Sequence, residues 1–285
     1  MDATPTPGPR RMQIATGLIR LRDRAKLTQE EVGKTAGVSK ATVSRYENTM
    51  NRSRIRWPVV RDLADACGAQ PDERDTLVRL AKEAAQDGWW VGNDAVPGWL
   101  NPLLSLEHEA VYEHVFANAL VPGLLQTREY AIALNRGQQV RSEPMAIEAL
   151  ADARIRRQAL LTRTPPLHLW VVLDEAVITR IVGDRRVMAD QLNHLCEQAQ
   201  RPNVDIQVLP FSAGAHAAGN GHFVTLGGAD ESMRVVYIET LLGGLYFDKE
   251  HQVAPYPIAF DYLRAEAAST TASAKILARA CKEFR

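Results

Sequence analysis

Residues 27–48 carry side chains whose types and spacing can read a nucleic acid duplex. Lys40, Ala41 and Arg45 fall on one side of a short helix, and Val43 and Tyr46, three apart, fall on the other. An arginine so placed can donate two hydrogen bonds to guanine O6 and N7, which discriminates against other bases by about 1–3 kcal/mol. Lys40 can do the same or take a phosphate, and Ala41 can touch a thymine methyl. Thr42 and Ser44 are suited to phosphate contacts. Gln29, at the start of the preceding helix, is suited to hold phosphate with its side chain and the helix-end amides.

Two helices must position these groups. Thr28 and Glu31 have capping-box spacing, so a helix starts near Gln29. Val32 and Ala36 share its inner face. Gly33 sits where two helices cross closely, and Gly37 ends the first helix because glycine reaches positive φ without steric cost. Ser39 then caps the second.

With these residues in place, the segment resembles the phage Cro and repressor type of helix-turn-helix, the XRE family, over about residues 11–70. The resemblance implies five helices, near 11–25, 29–36, 40–48, 57–67 and 72–86. It also implies that Arg22 and Glu47 form a partly buried ion pair. One departure is visible. The family often has a glycine soon after the glutamate, whereas this chain runs Asn48-Thr49-Met50-Asn51. Arg52, Arg54 and Arg56 follow, either gripping the flanking phosphate backbone or standing solvated in a loop.

Charge supports a polyanion partner. Residues 1–70 hold 13 Lys+Arg against 7 Asp+Glu, a difference of +6, while the whole chain balances at 34 and 34. A basic head is joined to an acidic body.

The chain has 285 residues, 46% of them hydrophobic and 24% charged, which suits two soluble domains each with its own core. No run of about 18 apolar residues exists, so no membrane span or membrane partner is expected. Three scattered cysteines, Cys67, Cys196 and Cys281, suit reduced thiols in the cytoplasm. The expected organisation is a disordered arm over 1–10, a helix-turn-helix domain over 11–86, a junction over 87–102 and a regulatory and dimerisation domain over 103–285.

In the larger domain the patterning predicts helices near 104–119, 126–135, 144–162 and 186–200, with a short one from Asp174 to about Gly183. It predicts strands at 168–173, 204–209, 222–226, 235–239 and 245–247, and closing helices at 254–267 and 270–284. The expected fold class is therefore a mainly α head of five helices plus an α+β domain with one sheet of four or five strands.

A second resemblance rests on Val121-Pro122-Gly123-Leu124-Leu125-Gln126-Thr127 followed by Tyr130-Ala131, and on Arg154–Gln158, Leu173-Asp174-Glu175, Gln191-Leu192, Val208-Leu209-Pro210, Gly221-His222-Phe223 and Tyr237-Ile238-Glu239. In that order these strings are similar to actinobacterial antitoxin-like regulators, in which an XRE head precedes a C-terminal domain of about 180 residues. The resemblance implies transcription regulation and a small partner protein encoded nearby. It supplies no ligand and no activity for the C-terminal domain.

The residues themselves leave alternatives open. Pro122-Gly123 is either a structural corner or the lip of a binding site. Arg154, Arg156 and Arg157 form either a ligand or partner site or a solvated face with one buried ion pair, to Asp174 or Glu175. Glu239 lies in an apolar strand and needs a partner, one of those arginines or a pocket. Arg154, Arg157 and Glu239 are the expected ligand or partner residues. No Gly-x-Ser-x-Gly elbow, His-Glu-x-x-His, Walker loop or Rossmann fingerprint is present, so no enzyme, metal or cofactor is expected. The reading is a regulator that binds double-stranded operator DNA as a homodimer. Its signal is a small partner protein or, as the alternative, a small-molecule effector.

Overall fold

A computed structural model describes residues 9–48, 55–84, 96, 100–138, 144–228, 234–241 and 243–285. Residues 1–8 of the arm expected over 1–10, most of the junction, and Arg52 and Arg54 lie outside the described residues; the arm's last two residues, Pro9 and Arg10, are the start of a helix rather than part of an arm. The chain forms two compact units, Asp2–Gly92 and Asn93–Arg285.

Among the described residues the first unit is five helices: α1 (Pro9–Ala25), α2 (Gln29–Thr35), α3 (Lys40–Glu47), α4 (Trp57–Ala66) and α5 (Pro71–Ala84). Each contributes apolar residues to one core, with Ile14, Leu18, Val32, Val43, Val60 and Leu63 all buried. Burial of these faces, rather than intrinsic propensity, holds helices this short.

The second unit is a six-stranded mixed sheet with helices on both faces. Its elements run α6 (Asn101–Glu109), β1 (Tyr112–Ala117), α7 (Arg128–Gln138), α8 (Pro144–Arg157), β2 (His168–Asp174), α9 (Glu175–Thr179), α10 (Arg185–Gln198), β3 (Val204–Leu209), β4 (Phe223–Gly227), β5 (Arg234–Thr240), β6 (Gly243–Phe247), α11 (Glu250–Val253), α12 (Pro255–Glu266) and α13 (Thr270–Phe284). The strand order is β3-β2-β1-β4-β5-β6. β1, β2 and β3 are parallel, joined by helical crossovers; β4 pairs antiparallel with β1, and β5 and β6 follow, each antiparallel to the strand before it.

The expected four or five strands are thus six among the described residues. The stretch expected as a helix over 104–119 is α6 followed by β1, the strand on which the parallel and antiparallel halves meet. β1 is covered on both faces, so it lacks the clean alternation that marks a half-exposed strand. Val115 and Ala117 enter the core under α6, α7 and α10, while Phe116 enters the core under α12. Glu113 and His114 placed within it further disguise it.

The Val121–Thr127 segment is pinned from several sides. The Val121 amide donates to the Tyr130 hydroxyl (3.2 Å) and Gln126 Nε2 donates to the Val121 carbonyl (2.6 Å). Gln191 donates to the Leu125 carbonyl and accepts from the Thr127 amide, both at 2.7 Å. Gln158 donates to the Gln126 carbonyl at 2.6 Å. A methyl added at Gly123 would stand 3.2 Å from Arg157 Nη1, so the glycine lets that guanidinium lie against the turn. These contacts favour the structural-corner reading of Pro122-Gly123.

Candidate nucleic-acid interface

The capping box forms as a reciprocal pair. The Glu31 amide donates to Thr28 Oγ1 and the Thr28 amide donates to Glu31 Oε2. Gly37 turns the chain at φ +69°, and the Val38 amide donates to the Gly33 carbonyl at 2.8 Å. A methyl on Gly33 would stand 2.8 Å from the Val38 carbonyl oxygen and 3.3 Å from Val43 Cγ2. The close crossing therefore excludes any side chain there. Ser39 caps α3 by accepting from the Thr42 amide at 3.1 Å.

α3 then divides cleanly. Val43, Tyr46 and Glu47 are buried; Lys40, Ala41, Ser44 and Arg45 are exposed. Ala41, Ser44 and Arg45, at i, i+3 and i+4, share one outward stripe. The Arg45 guanidinium also lies 5.9 Å from the centre of the Tyr46 ring.

Beneath this face Glu47 gathers two donors. Arg22 Nε reaches Glu47 Oε1 at 2.7 Å and Gln29 Nε2 reaches Oε2 at 2.8 Å. The Gln29 side chain is thus engaged inside the domain, and a phosphate contact by it would require giving up Glu47. The Thr42 hydroxyl is engaged by Ser39 Oγ at 3.0 Å. The Tyr46 hydroxyl accepts the Arg56 amide at 3.1 Å, fixing the start of α4 to the recognition helix.

One cation near α3 escaped the sequence reading. Arg11, on α1, is lowered from its ordinary pKa by burial and by the charge of Arg45, with Tyr46 acting the other way. Two arginines from helices distant in sequence thus lie close enough for their charges to act on each other. No local motif links positions 11 and 45.

In the second unit the expected site residues are partly dispersed. Arg154 Nη1 donates to Gln126 Oε1 at 2.9 Å. Arg157 Nη2 meets Glu107 Oε1 at 2.6 Å, and Glu107 is fully buried on α6. Neither Asp174 nor Glu175 is the arginine partner. Asp174 caps α9 through the Ala176 amide, and Glu175 accepts the Phe211 amide. Glu239 is exposed near the end of β5, and its amide donates to His222 Nε2 at 3.2 Å. Its charge still acts on Arg154. The sequence reading missed Glu107 and Glu113, because both fell inside a stretch read as one amphipathic helix.

Residues 100–279 match the family model described as Domain of unknown function (DUF5753). The chain belongs to the DUF5753 family. Residues 13–77 match a family model described as a helix-turn-helix domain. No curated protein and no solved structure matches the chain. The helix-turn-helix ahead of the DUF5753 domain marks a DNA-binding head of the kind found in transcription regulators. Among the described residues no helix is long and apolar enough to cross a membrane.

Proposed function

We propose that the chain is a sequence-specific transcriptional regulator that binds operator DNA as a homodimer, with α3 in the major groove and the DUF5753 domain setting its response. The observation that carries this reading is the division of α3, where every buried side chain faces the helical core and Lys40, Ala41, Ser44 and Arg45 face outward. Lys40, Ala41 and Arg45 take base edges in this reading. Ser44, with Arg52 and Arg54 beyond, serves the phosphate backbone, while Gln29 and Thr42 act through the contacts to Glu47 and Ser39 that hold α3 in place. Half-sites then stand about one helical turn apart, as the two-fold symmetry of a dimer requires. The test is fluorescence anisotropy of the purified protein on its own upstream DNA across a salt series. The affinity should fall about a thousandfold between roughly 50 and 200 mM salt. An affinity independent of salt would overturn the reading.

Two signals remain for the DUF5753 domain. The likeness to antitoxin-like regulators supports a small partner protein. A specific observation favours the second reading, a small-molecule effector: the buried Glu107–Arg157 pair lies near Glu113 and Tyr237, which also carry buried polar atoms without a hydrogen-bond partner among the described residues. Melting of the protein with and without the product of the neighbouring gene, and with metabolite fractions, separates the two.

A further inference from the structure

We infer that the exposed face of α13 is a second DNA contact, one that grips the phosphate backbone of duplex DNA without reading its bases. This inference rests on the DNA-binding reading of the chain. Residues 71–285 hold 21 Lys+Arg against 27 Asp+Glu, whereas Thr270–Arg285 holds four Lys+Arg against one Asp+Glu. A basic helix thus closes an acidic body. Lys275, Arg279, Lys282 and Arg285 fall at i, i+4, i+7 and i+10, so they share one side of the helix, and all four are exposed. Ser273, Leu277, Ala280 and Cys281, on the other side, are buried. The start of α10 extends the surface. Arg185 lies 5.6 Å from the centre of the Phe284 ring and donates to the Glu283 carbonyl, and Arg186 beside it is exposed.

Like charges three and four apart on a helix repel. Two acids temper the surface: Glu283 meets Arg279 at 3.2 Å and Asp190 stands 4.0 Å from Arg186. Among the described residues no other acid lies within ion-pair distance of the four cations of α13. The fold therefore does little to offset their repulsion, and a polyanion would offset it. The neighbouring side chains say which polyanion. A protein interface is anchored by aromatic and large apolar residues, and a helix lying on a membrane needs an exposed apolar face. Here Thr271, Ala274 and Ala278 flank the cations. They anchor neither kind of partner, and they are small enough to let a phosphate strand come close. The stripe runs for about 15 Å of helix, against a DNA strand that carries one charge in roughly every 3.4 Å of its axis. Such a grip adds affinity and leaves base preference to α3.

The experiment measures binding of the full chain to its own upstream DNA and to a scrambled duplex, by fluorescence anisotropy across a salt series. A triple variant carrying Lys275→Gln, Arg279→Gln and Lys282→Gln should bind both duplexes more weakly. Its slope of log K against log salt should be flatter than the native slope by about 2–3. The ratio between the two duplexes should hold, because α3 is untouched. If the triple variant melts early, Lys275→Gln alone decides, with a flattening of about 0.9. Lys275→Arg with Lys282→Arg, which keeps the charge, should bind like the native chain. Arg136→Gln, Arg180→Gln and Lys249→Gln together remove as much charge from exposed positions off the stripe, and should leave the slope as it is. A native slope in the stripe variant, or equal flattening in the off-stripe variant, would overturn the inference and leave the reading by α3 standing. Absence of salt-dependent binding by the native chain would overturn the DNA-binding reading and the inference with it.

Discussion

The Arg22 guanidinium meets the Glu47 carboxylate at 2.7 Å beneath the recognition helix, and Gln29 occupies that carboxylate's second oxygen at 2.8 Å. One buried acid thereby fixes the last turn of α3 to both α1 and α2. Its geometry sets how α3 is presented. Arg22→Ala would leave Glu47, 7% exposed, with a single neutral donor. We expect a loss of about 3 kcal/mol, read as a lowered urea midpoint. Replacing Arg22 and Glu47 together by apolar residues should cost less.

Gln29→Ala should weaken binding to every DNA sequence alike, because it loosens the base of α3 without removing a base contact. Competition binding on several duplexes checks this. An effect confined to one base position would contradict it.

The two glycines of the turn should fail for different reasons. Gly33→Ala must force a methyl against the Val38 carbonyl and Val43, at about 1–3 kcal/mol. Gly37 has open space around it but φ +69°. Gly37→Ala should cost about 1–2 kcal/mol in backbone strain alone, and Gly37→Asn should cost less. Equal penalties for Gly37→Ala and Gly37→Asn would count against a conformational cause.

His114 stacks on Phe260 with ring centres 4.7 Å apart. Burial, then the charge of Arg264 and of Arg234, lower its pKa from 6.5 to about 4, against the pull of Asp261. The unfolded chain takes the proton first, so this contribution to stability is whole above pH 6.5 and drains away as the pH falls towards 4. About 3 kcal/mol is at stake across that window. His114→Phe should flatten the acid limb of the stability–pH curve, measured by urea unfolding at successive pH values.

Glu113 has the opposite sign. Burial, then the charge of Glu107, push its carboxyl well above the usual range, with Arg157 opposing. The unfolded chain releases this proton near pH 4.5 while the folded chain retains it, so stability falls as the pH rises above that value. Glu113→Gln should therefore raise the melting temperature at pH 7. A fall there would show that the carboxylate is compensated in the folded protein.

How much was legible from sequence follows from how local each signal is. Thr28, Glu31, Gly37 and Ser39 act within four residues of themselves, so the caps and turn of the head could be read directly. The Arg22–Glu47 contact came only through the family resemblance, since nothing local links positions 25 apart. β1 was hidden because both its faces are buried and it carries Glu113 and His114. Glu113 was hidden with it, and the buried partner of Arg157, Glu107 on α6, lies 50 residues away in sequence. Glu239 was expected inside an apolar strand, yet β5 leaves the packed layer at its end and exposes it.

The most direct test of the account is selection of duplexes from a randomised pool by the native chain and by Arg45→Ala. The native protein should enrich one motif with two-fold symmetric halves. Arg45→Ala should lose about 1–3 kcal/mol on it and relax the preference at one base of each half-site. Uniform weakening across all sequences, or no enrichment by the folded native protein, would contradict α3 as the reading helix.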